Sequence, residues 1–184
     1  GLVKNLSIMT QVTGMTSSKS VFDKILKMNL IELKDIGDSE ENTIRFDEIQ
    51  EYGKIFINGN WIGIHKEPIQ LVNKLVSLKR QALINPYTSI SFNTDMNEVN
   101  VFTDAGRCSR PLYIVENRAL RITKHHIKLL QNKMIHFKNL ILGSIPSKNH
   151  TGETGISEGV IEYVDTEESW YSMIAMNIDA LKDK

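Results

Sequence analysis

The chain contains one cysteine and four prolines, and its charges carry no excess of either sign. A single cysteine, Cys108, excludes an internal disulfide framework and a zinc site built on several cysteines. This cysteine content fits a reducing intracellular compartment, and we expect Cys108 to be a small, partly buried residue without a chemical role. No apolar run approaches the ~20 residues that a membrane-spanning helix needs, which argues against a membrane partner.

The charge balance also limits the kind of partner. Lysine and arginine together number 22, and aspartate and glutamate together number 22. A free-standing nucleic-acid-binding protein usually has a basic excess or a basic face, because phosphate contacts supply most of its affinity. Zero net charge argues against that role and leaves only a local basic patch open.

What the sequence does contain predicts a folded α+β protein of mixed, mostly antiparallel strands with a few helices. Its 184 residues, 41% of them hydrophobic, suffice for one domain or two small ones. Apolar spacing predicts a helix after Ser20, a second from Pro68 to the stop at Asn85-Pro86, and a third that Thr123 caps and that carries Ile127, Leu130, Met134 and Phe137. Asn58-Gly59 predicts a hairpin turn, and strands are expected at 54–57, 61–64, 89–93, 98–103, 112–115, 160–164 and 171–176.

Helix 68–85 carries an apolar stripe that includes Leu71 and Leu75. Three cations, Lys74, Lys79 and Arg80, are placed on its other side or at its end. The pattern therefore places them off the apolar stripe.

Two clusters of titratable residues are candidates for a metal-binding site. An acidic cluster near the end comprises Glu162, Asp165, Glu167 and Glu168. Strand alternation puts Glu162 and Asp165 on opposite faces, so we expect a solvated edge or a surface that meets a partner. The histidines of the third helix lack the spacing and the carboxylate that a metal site needs, so no metal site is predicted.

The segment around Gly106 presents Asp104, Arg107 and Arg110. Arginine forms planar, bidentate pairs with carboxylate or phosphate groups. Arg107 pairs either with Asp104, where it would fix the turn at Gly106, or with a neighbouring segment. The sequence leaves both alternatives open.

Four segments, in order, carry a family resemblance. They are GLVKNLS at 1–7, FINGNWIGIH at 56–65, TDAGRCSRPLYIVE at 103–116, and EGVIEYVDTEE at 158–168 with MIAM at 173–176. Together they resemble the second-largest subunit of multisubunit DNA-dependent RNA polymerases, in the eukaryotic, archaeal and large-DNA-virus branch rather than the bacterial one.

The resemblance implies that the chain is a fragment of that subunit made of two small peripheral domains. Residues 1–13 would be the tail of the fork element, 14–116 the first external domain, and 117–184 the second. Lys4 would lie near the nucleic-acid path.

The resemblance also bears on the remaining charged residues and on activity. Asp104, Arg107 and Arg110 would be structural or contact another subunit. The whole enzyme is a nucleotidyltransferase that uses magnesium, held mainly by aspartates of the largest subunit. This stretch is therefore expected to contain no catalytic residue, to bind no metal and to bind no cofactor of its own.

The implied partners are the other polymerase subunits, chiefly the largest subunit and the rest of the chain's own subunit, together with the DNA template and the RNA through the whole enzyme. The implied location is intracellular: the nucleus, with a viral factory or an archaeal cytoplasm as alternatives. The region 138–158 departs from the family pattern. The rival interpretation is a self-contained, non-catalytic interaction module derived from polymerase sequence.

Overall fold

The computed structural model describes residues 5–37, 44–144 and 158–181. The α-helices of this part are α1 (Lys19–Leu26), α2 (Pro68–Arg80), α3 (Lys124–Gln131), α4 (Phe137–Leu142) and α5 (Thr166–Tyr171). The strands are β1 (Gln11–Val12), β2 (Ile31–Glu32), β3 (Gly53–Ile57), β4 (Asn60–His65), β5 (Ser89–Asn93), β6 (Glu98–Phe102), β7 (Cys108–Tyr113), β8 (Val115–Glu116), β9 (Ala119–Leu120) and β10 (Ile161–Asp165). Short 3-10 turns lie at Leu33–Asp35, Phe46–Glu51 and Asp179–Leu181.

A five-stranded sheet with the order β2-β4-β3-β6-β5 forms the larger half of the fold. Only β3 and β6 pair in parallel in this sheet, and its other neighbours are antiparallel. The predicted hairpin joins β3 to β4. Asn58 and Gly59 both have positive φ, +49° and +79°, as a type I′ turn requires.

Helices α1 and α2 supply the apolar residues that cover this sheet. Val21 and Ile25 of α1 and Leu71 and Leu75 of α2 are buried in one cluster with sheet side chains, chiefly Ile55, Ile57, Ile90, Val99 and Val101. Burying one such side chain stabilises a fold by about 1.5–3 kcal/mol. This cluster is the main core, and it contains Leu71 and Leu75 of the predicted apolar stripe of α2.

A second, three-stranded sheet has the order β1-β7-β10. Strand β7 lies in the middle and is antiparallel to both neighbours. It pairs with β10 over five residues, from Tyr113 opposite Ile161 to Ser109 opposite Asp165. A separate core joins β10 to the helices α3 and α4 through Leu129, Ile135, Leu140, Ile141, Val160, Ile161 and Tyr163.

The architecture confirms the predicted α+β class with mostly antiparallel strands, but the helix predicted after Thr123 is too long. It ends at Gln131, and a separate helix begins at Phe137. Lys133 has a φ of +56°, which an α-helix does not accommodate. The side chains of His136 and Asn139 then form a new capping box.

The strand predicted at 171–176 is wrong. Helix α5 occupies the preceding residues, and no named strand follows it in the described residues. The carboxylate of Asp165 accepts a hydrogen bond from the backbone N–H of Glu168, which starts a helix directly after β10.

Cys108 is exposed rather than partly buried as expected. Alternation along β7 turns Ser109 inward, and therefore turns Cys108 and Arg110 outward. None of the described helices combines the length and the apolarity needed to cross a lipid bilayer.

Candidate functional site

Arg107 is the centre of the charged residues that the sequence singles out. It follows a turn in which Gly106 has a φ of +84°, a conformation that favours glycine. Its Nε donates to Asp104 Oδ1 at 2.8 Å, its Nη1 to Asp165 Oδ2 at 2.7 Å, and its Nη2 to the carbonyl oxygen of Tyr87 at 2.9 Å. One guanidinium therefore joins its own turn, the end of β10 and the segment before β5.

Asp165 is buried and is satisfied on both oxygens. Oδ1 accepts from Ser89 Oγ and from the N–H of Glu168, both at 2.9 Å, and Oδ2 accepts from Arg107. Burial by itself raises the pKa of this carboxyl. The hydrogen bonds from Glu168, Arg107 and Ser89, with the charge of Arg107, outweigh burial and hold the pKa below its usual value.

Glu168 forms a second buried ion pair next to Asp165. Lys79 Nζ donates to Oε1 at 2.6 Å and to Oε2 at 2.9 Å, and the N–H of Ile90 also donates to Oε1, at 3.0 Å. Both side chains are almost fully buried. Burial raises the pKa of Glu168, and the Lys79 charge and hydrogen bonds oppose that rise.

We name these five residues, Lys79, Asp104, Arg107, Asp165 and Glu168, the ion-pair network. It connects α2, β5, the turn before β7, and the junction of β10 with α5. Its buried carboxylates are bonded to cations, hydroxyl groups and backbone N–H groups, which is what buried charges require. The arrangement suits fixing these elements against one another.

The ion-pair network corrects two expectations. The acidic cluster is no solvated edge: Asp165 and Glu168 are buried, and Glu162 accepts a bidentate pair from Arg80 at 3.0 and 3.1 Å. Lys79, predicted on the other side of the apolar stripe or at the end of the helix, is buried.

Two sequence signals could have shown this burial. Lys79 follows Leu71 and Leu75 at i+4 steps, on the same face of α2. Asp165 precedes Glu168 by three residues, a helix N-terminal pattern.

The other predicted site residues lie apart from the ion-pair network. Arg110 is exposed on β7 and has no ion pair among the described residues. It borders a cavity of about 310 Å³ together with Cys108 and Asp165. Lys4 lies outside the described residues.

A smaller polar cluster holds the end of α2 against the start of the final segment. Glu158 accepts from Gln81 and Ser77 on Oε1, at 2.9 and 3.0 Å, and from Arg121 on Oε2, at 2.7 Å. The Gln81 hydrogen bond is the largest cause of a lowered Glu158 pKa. Burial opposes it, and the Arg121 and Ser77 hydrogen bonds reinforce it.

The titratable side chains do not form a metal site in the described part of the chain. In residues 5–37, 44–144 and 158–181, no three His, Cys, Asp or Glu side chains are placed to hold a metal ion. The His126 ring accepts the N–H of Thr123 at 3.0 Å and so belongs to a helix cap.

An apolar groove of about 530 Å³ lies along β7 and β10. Its lining includes Leu112, Tyr113 and Val164 of these strands and Met173, Ile174 and Met176 of the segment after α5. Met173 and Met176 are 86% and 93% exposed. Contiguous exposed apolar surface of this kind is typical of contacts with another segment or another protein.

Two family models match the chain. "RNA polymerase Rpb2, domain 4" matches residues 55–116, and "RNA polymerase Rpb2, domain 5" matches residues 156–184. The two matches cover parts of both sheets.

Curated relatives match over nearly the whole chain. It is 32% identical over 185 residues to "DNA-directed RNA polymerase II subunit 2" of Arabidopsis thaliana, covering 98% of this chain and 14% of that protein. It is 33% identical over 184 residues to "DNA-directed RNA polymerase II subunit RPB2" of Encephalitozoon cuniculi, covering 100% and 14%. An archaeal relative, "DNA-directed RNA polymerase subunit Rpo2" of Sulfolobus acidocaldarius, is 29% identical, with 96% and 15% covered. The chain thus spans about one seventh of the length of these relatives.

Proposed function

The chain belongs to the family of second-largest subunits of DNA-directed RNA polymerase, and from this premise we propose that it serves template-directed RNA synthesis as an outer structural part of such a subunit. The single observation that carries the structural role is the bonding of Arg107. Its guanidinium binds Asp104, Asp165 and the Tyr87 carbonyl. A side chain bonded in this way positions elements and is not free to act on a substrate.

We further propose the domain division 1–13, 14–116 and 117–184, as fork tail, first external domain and second external domain. The match to domain 4 ends at residue 116, which supports a boundary there. Because β7 pairs with β10, the two external domains would share the three-stranded sheet.

The site assignments stand as proposals of the same kind. Asp104 and Arg107 serve the internal architecture, and exposed Arg110 contacts another subunit. Lys4 lies near the nucleic-acid path of the whole enzyme.

The partners follow from the same premise. They are the largest subunit and the rest of the chain's own subunit, and the apolar groove offers a surface for one of them. DNA, RNA and magnesium belong to the assembled enzyme, and its location is the nucleus or, for viral or archaeal members, a viral factory or the archaeal cytoplasm.

The first experiment uses the 184-residue chain alone with primed template, nucleoside triphosphates and magnesium. We expect no RNA product. Magnesium-dependent synthesis by this chain would contradict the structural assignment.

The second experiment uses the whole subunit, affinity-tagged and purified with its partners. Arg107→Ala should lower the amount of assembled enzyme while leaving nucleotide KM per assembled enzyme unchanged. Lys74→Ala, at an exposed position of α2, is the matched control. An unchanged yield for Arg107→Ala would contradict the proposed architectural role.

One observation favours the rival function, a self-contained interaction module. The members of the ion-pair network find their bonding partners within the described residues of this chain. The rival predicts that the chain alone captures a partner through the apolar groove without the rest of a polymerase. Met173→Ser with Met176→Ser should then abolish capture by the isolated chain, whereas the polymerase assignment predicts loss only in the assembled subunit.

A further inference from the structure

The zero net charge conceals a strong segregation of charge along the chain. Between Glu116 and Glu153 there is no Asp or Glu, and this stretch holds seven Lys or Arg residues and four His. These seven belong to the 22 basic side chains of the protein. The rest of the chain therefore contains 15 basic and 22 acidic side chains. The net charge of zero therefore results from a basic segment and an acidic remainder whose charges cancel.

The structure brings much of this basic segment to the surface. Five cations of this segment are exposed, and none of them forms an ion pair with a described carboxylate. We name these five residues the basic surface: Arg118, Lys124, Lys128, Lys133 and Lys138. Arg121 differs, since it pairs with Glu158 at 2.7 Å. The imidazoles of His125 and His136 are exposed among the same residues.

Local interactions disfavour two of these positions, Lys124 and Arg118, whereas Lys128 lies in the last turn of α3, where the helix dipole favours a cation. Lys124 lies in the first turn of α3, which contains no acidic residue, although a helix N-terminus favours negative charge. Lys124 and Lys128 are neighbours at i and i+4, where like charges destabilise a helix by about 0.2–0.5 kcal/mol. Arg118 occupies the turn between β8 and β9 with a φ of +62°, which is unfavourable for a residue with a side chain. Local structure therefore does not explain the cations at Lys124 and Arg118.

The composition of the basic surface discriminates between partners. Lysine is depleted in protein–protein interfaces, and aromatic residues and arginine are enriched there. Four of the five cations here are lysines, and residues 117–144 contain no Trp or Tyr and a single Phe, Phe137, which is half-buried. Lysine acts as a mobile point charge that suits phosphate groups at variable positions.

We propose that the basic surface binds the phosphate backbone of nucleic acid without reading its sequence. The contact is electrostatic, and its strength comes from counterions released by about four or five phosphate neutralisations. It is independent of the proposed role of Lys4 and of the polymerase assignment, because it uses only the charges of α3, α4 and the β8–β9 turn.

The experiment measures binding of the 184-residue chain to a fluorescent DNA duplex of about 20 base pairs and an RNA strand of equal length, across a range of salt. We expect binding in the range of about 1–100 µM that weakens steeply with salt. The test variant replaces Lys124, Lys128, Lys133 and Lys138 with Gln. Its matched control replaces four exposed lysines elsewhere, Lys19, Lys27, Lys66 and Lys74.

The test variant should lose at least about tenfold in affinity at low salt, and its log–log salt slope should fall by about 3, while the control changes little. Two double variants, Lys124/Lys128→Gln and Lys133/Lys138→Gln, should each lose part of the slope, and circular dichroism verifies folding of all four. The proposal is overturned if the parent chain does not bind at low salt, if the control loses as much as the test variant, or if poly-glutamate of equal charge competes as well as DNA. The last result would identify an acidic protein as the partner.

Discussion

Lys79 and Glu168 stand 89 residues apart in the sequence and form a buried ion pair, with Nζ at 2.6 and 2.9 Å from the two carboxylate oxygens. One residue belongs to α2 of the larger half and the other to α5 beside the smaller sheet. The pair therefore fixes the two sheets' supporting helices to each other. Such pairs contribute little net stability compared with apolar packing, but removing one partner leaves an unpaired buried charge.

The first prediction concerns the difference between removing one partner of the Lys79–Glu168 pair and replacing both. Lys79→Met alone should destabilise the chain by about 3–5 kcal/mol, because the Glu168 carboxylate loses its cation while remaining buried. Lys79→Met combined with Glu168→Leu should recover much of this loss, although the N–H of Ile90 then loses its acceptor. Urea denaturation followed by circular dichroism measures both. Lys74→Met, on the exposed face of the same helix, is the control, and an equal loss there would refute the prediction.

A second prediction separates the two arginines of the 103–116 segment. Arg107→Ala should destabilise the chain by about 2–4 kcal/mol, since it leaves the buried Asp165 carboxylate without its cation. Arg110→Ala should change stability by no more than about 0.5 kcal/mol, because Arg110 is exposed. Thermal melting of both variants is the measurement. Equal losses for both would show that Arg107 is not the member that organises the segment.

Local features of the fold are predictable from the sequence, whereas its long-range contacts are not. The Asn58-Gly59 turn, the α2 stripe and the α+β class follow from local patterns, because periodicity and turn chemistry are short-range properties. The helix break at Lys133 depends on a left-handed backbone conformation, and the helix after Asp165 depends on side-chain capping. Residue propensities for helix and strand predict neither feature well. The sequence does not determine the partners of Arg107, since Asp165 lies 58 residues away and the pairing of β7 with β10 brings it near.

The third prediction is a pH dependence that involves Glu158. Its pKa lies below the ordinary value of 4.5, because of the hydrogen bond from Gln81 and those from Arg121 and Ser77. The folded state therefore binds this proton more weakly than the unfolded state does. The stability that Glu158 contributes is fully present above about pH 4.5 and is lost as pH falls through the lower, folded pKa.

The measurement compares urea midpoints of the parent chain and Glu158→Gln from about pH 3 to about pH 7. The difference between them should be largest near neutrality and should shrink in acid. Glu48→Gln, at an exposed glutamate, should give a small difference throughout. A Glu158→Gln difference that grows as pH falls would have the wrong sign for this account.

The fourth prediction concerns Asn58, whose role exceeds the turn that its sequence pattern indicates. Its Oδ1 accepts the N–H of Thr103 at 2.8 Å, and its Nδ2 donates to Thr103 Oγ1 at 3.0 Å. Asn58→Gly keeps a residue that tolerates positive φ but leaves the N–H of buried Thr103 without this acceptor. We expect a loss of about 1–3 kcal/mol, measured by urea denaturation. Asn97→Gly is the matched control, because Asn97 also has positive φ, at +53°, and its side chain makes no hydrogen bond to the described residues. If both variants lose the same stability, the cost lies in glycine's backbone freedom and the Thr103 contact contributes nothing measurable.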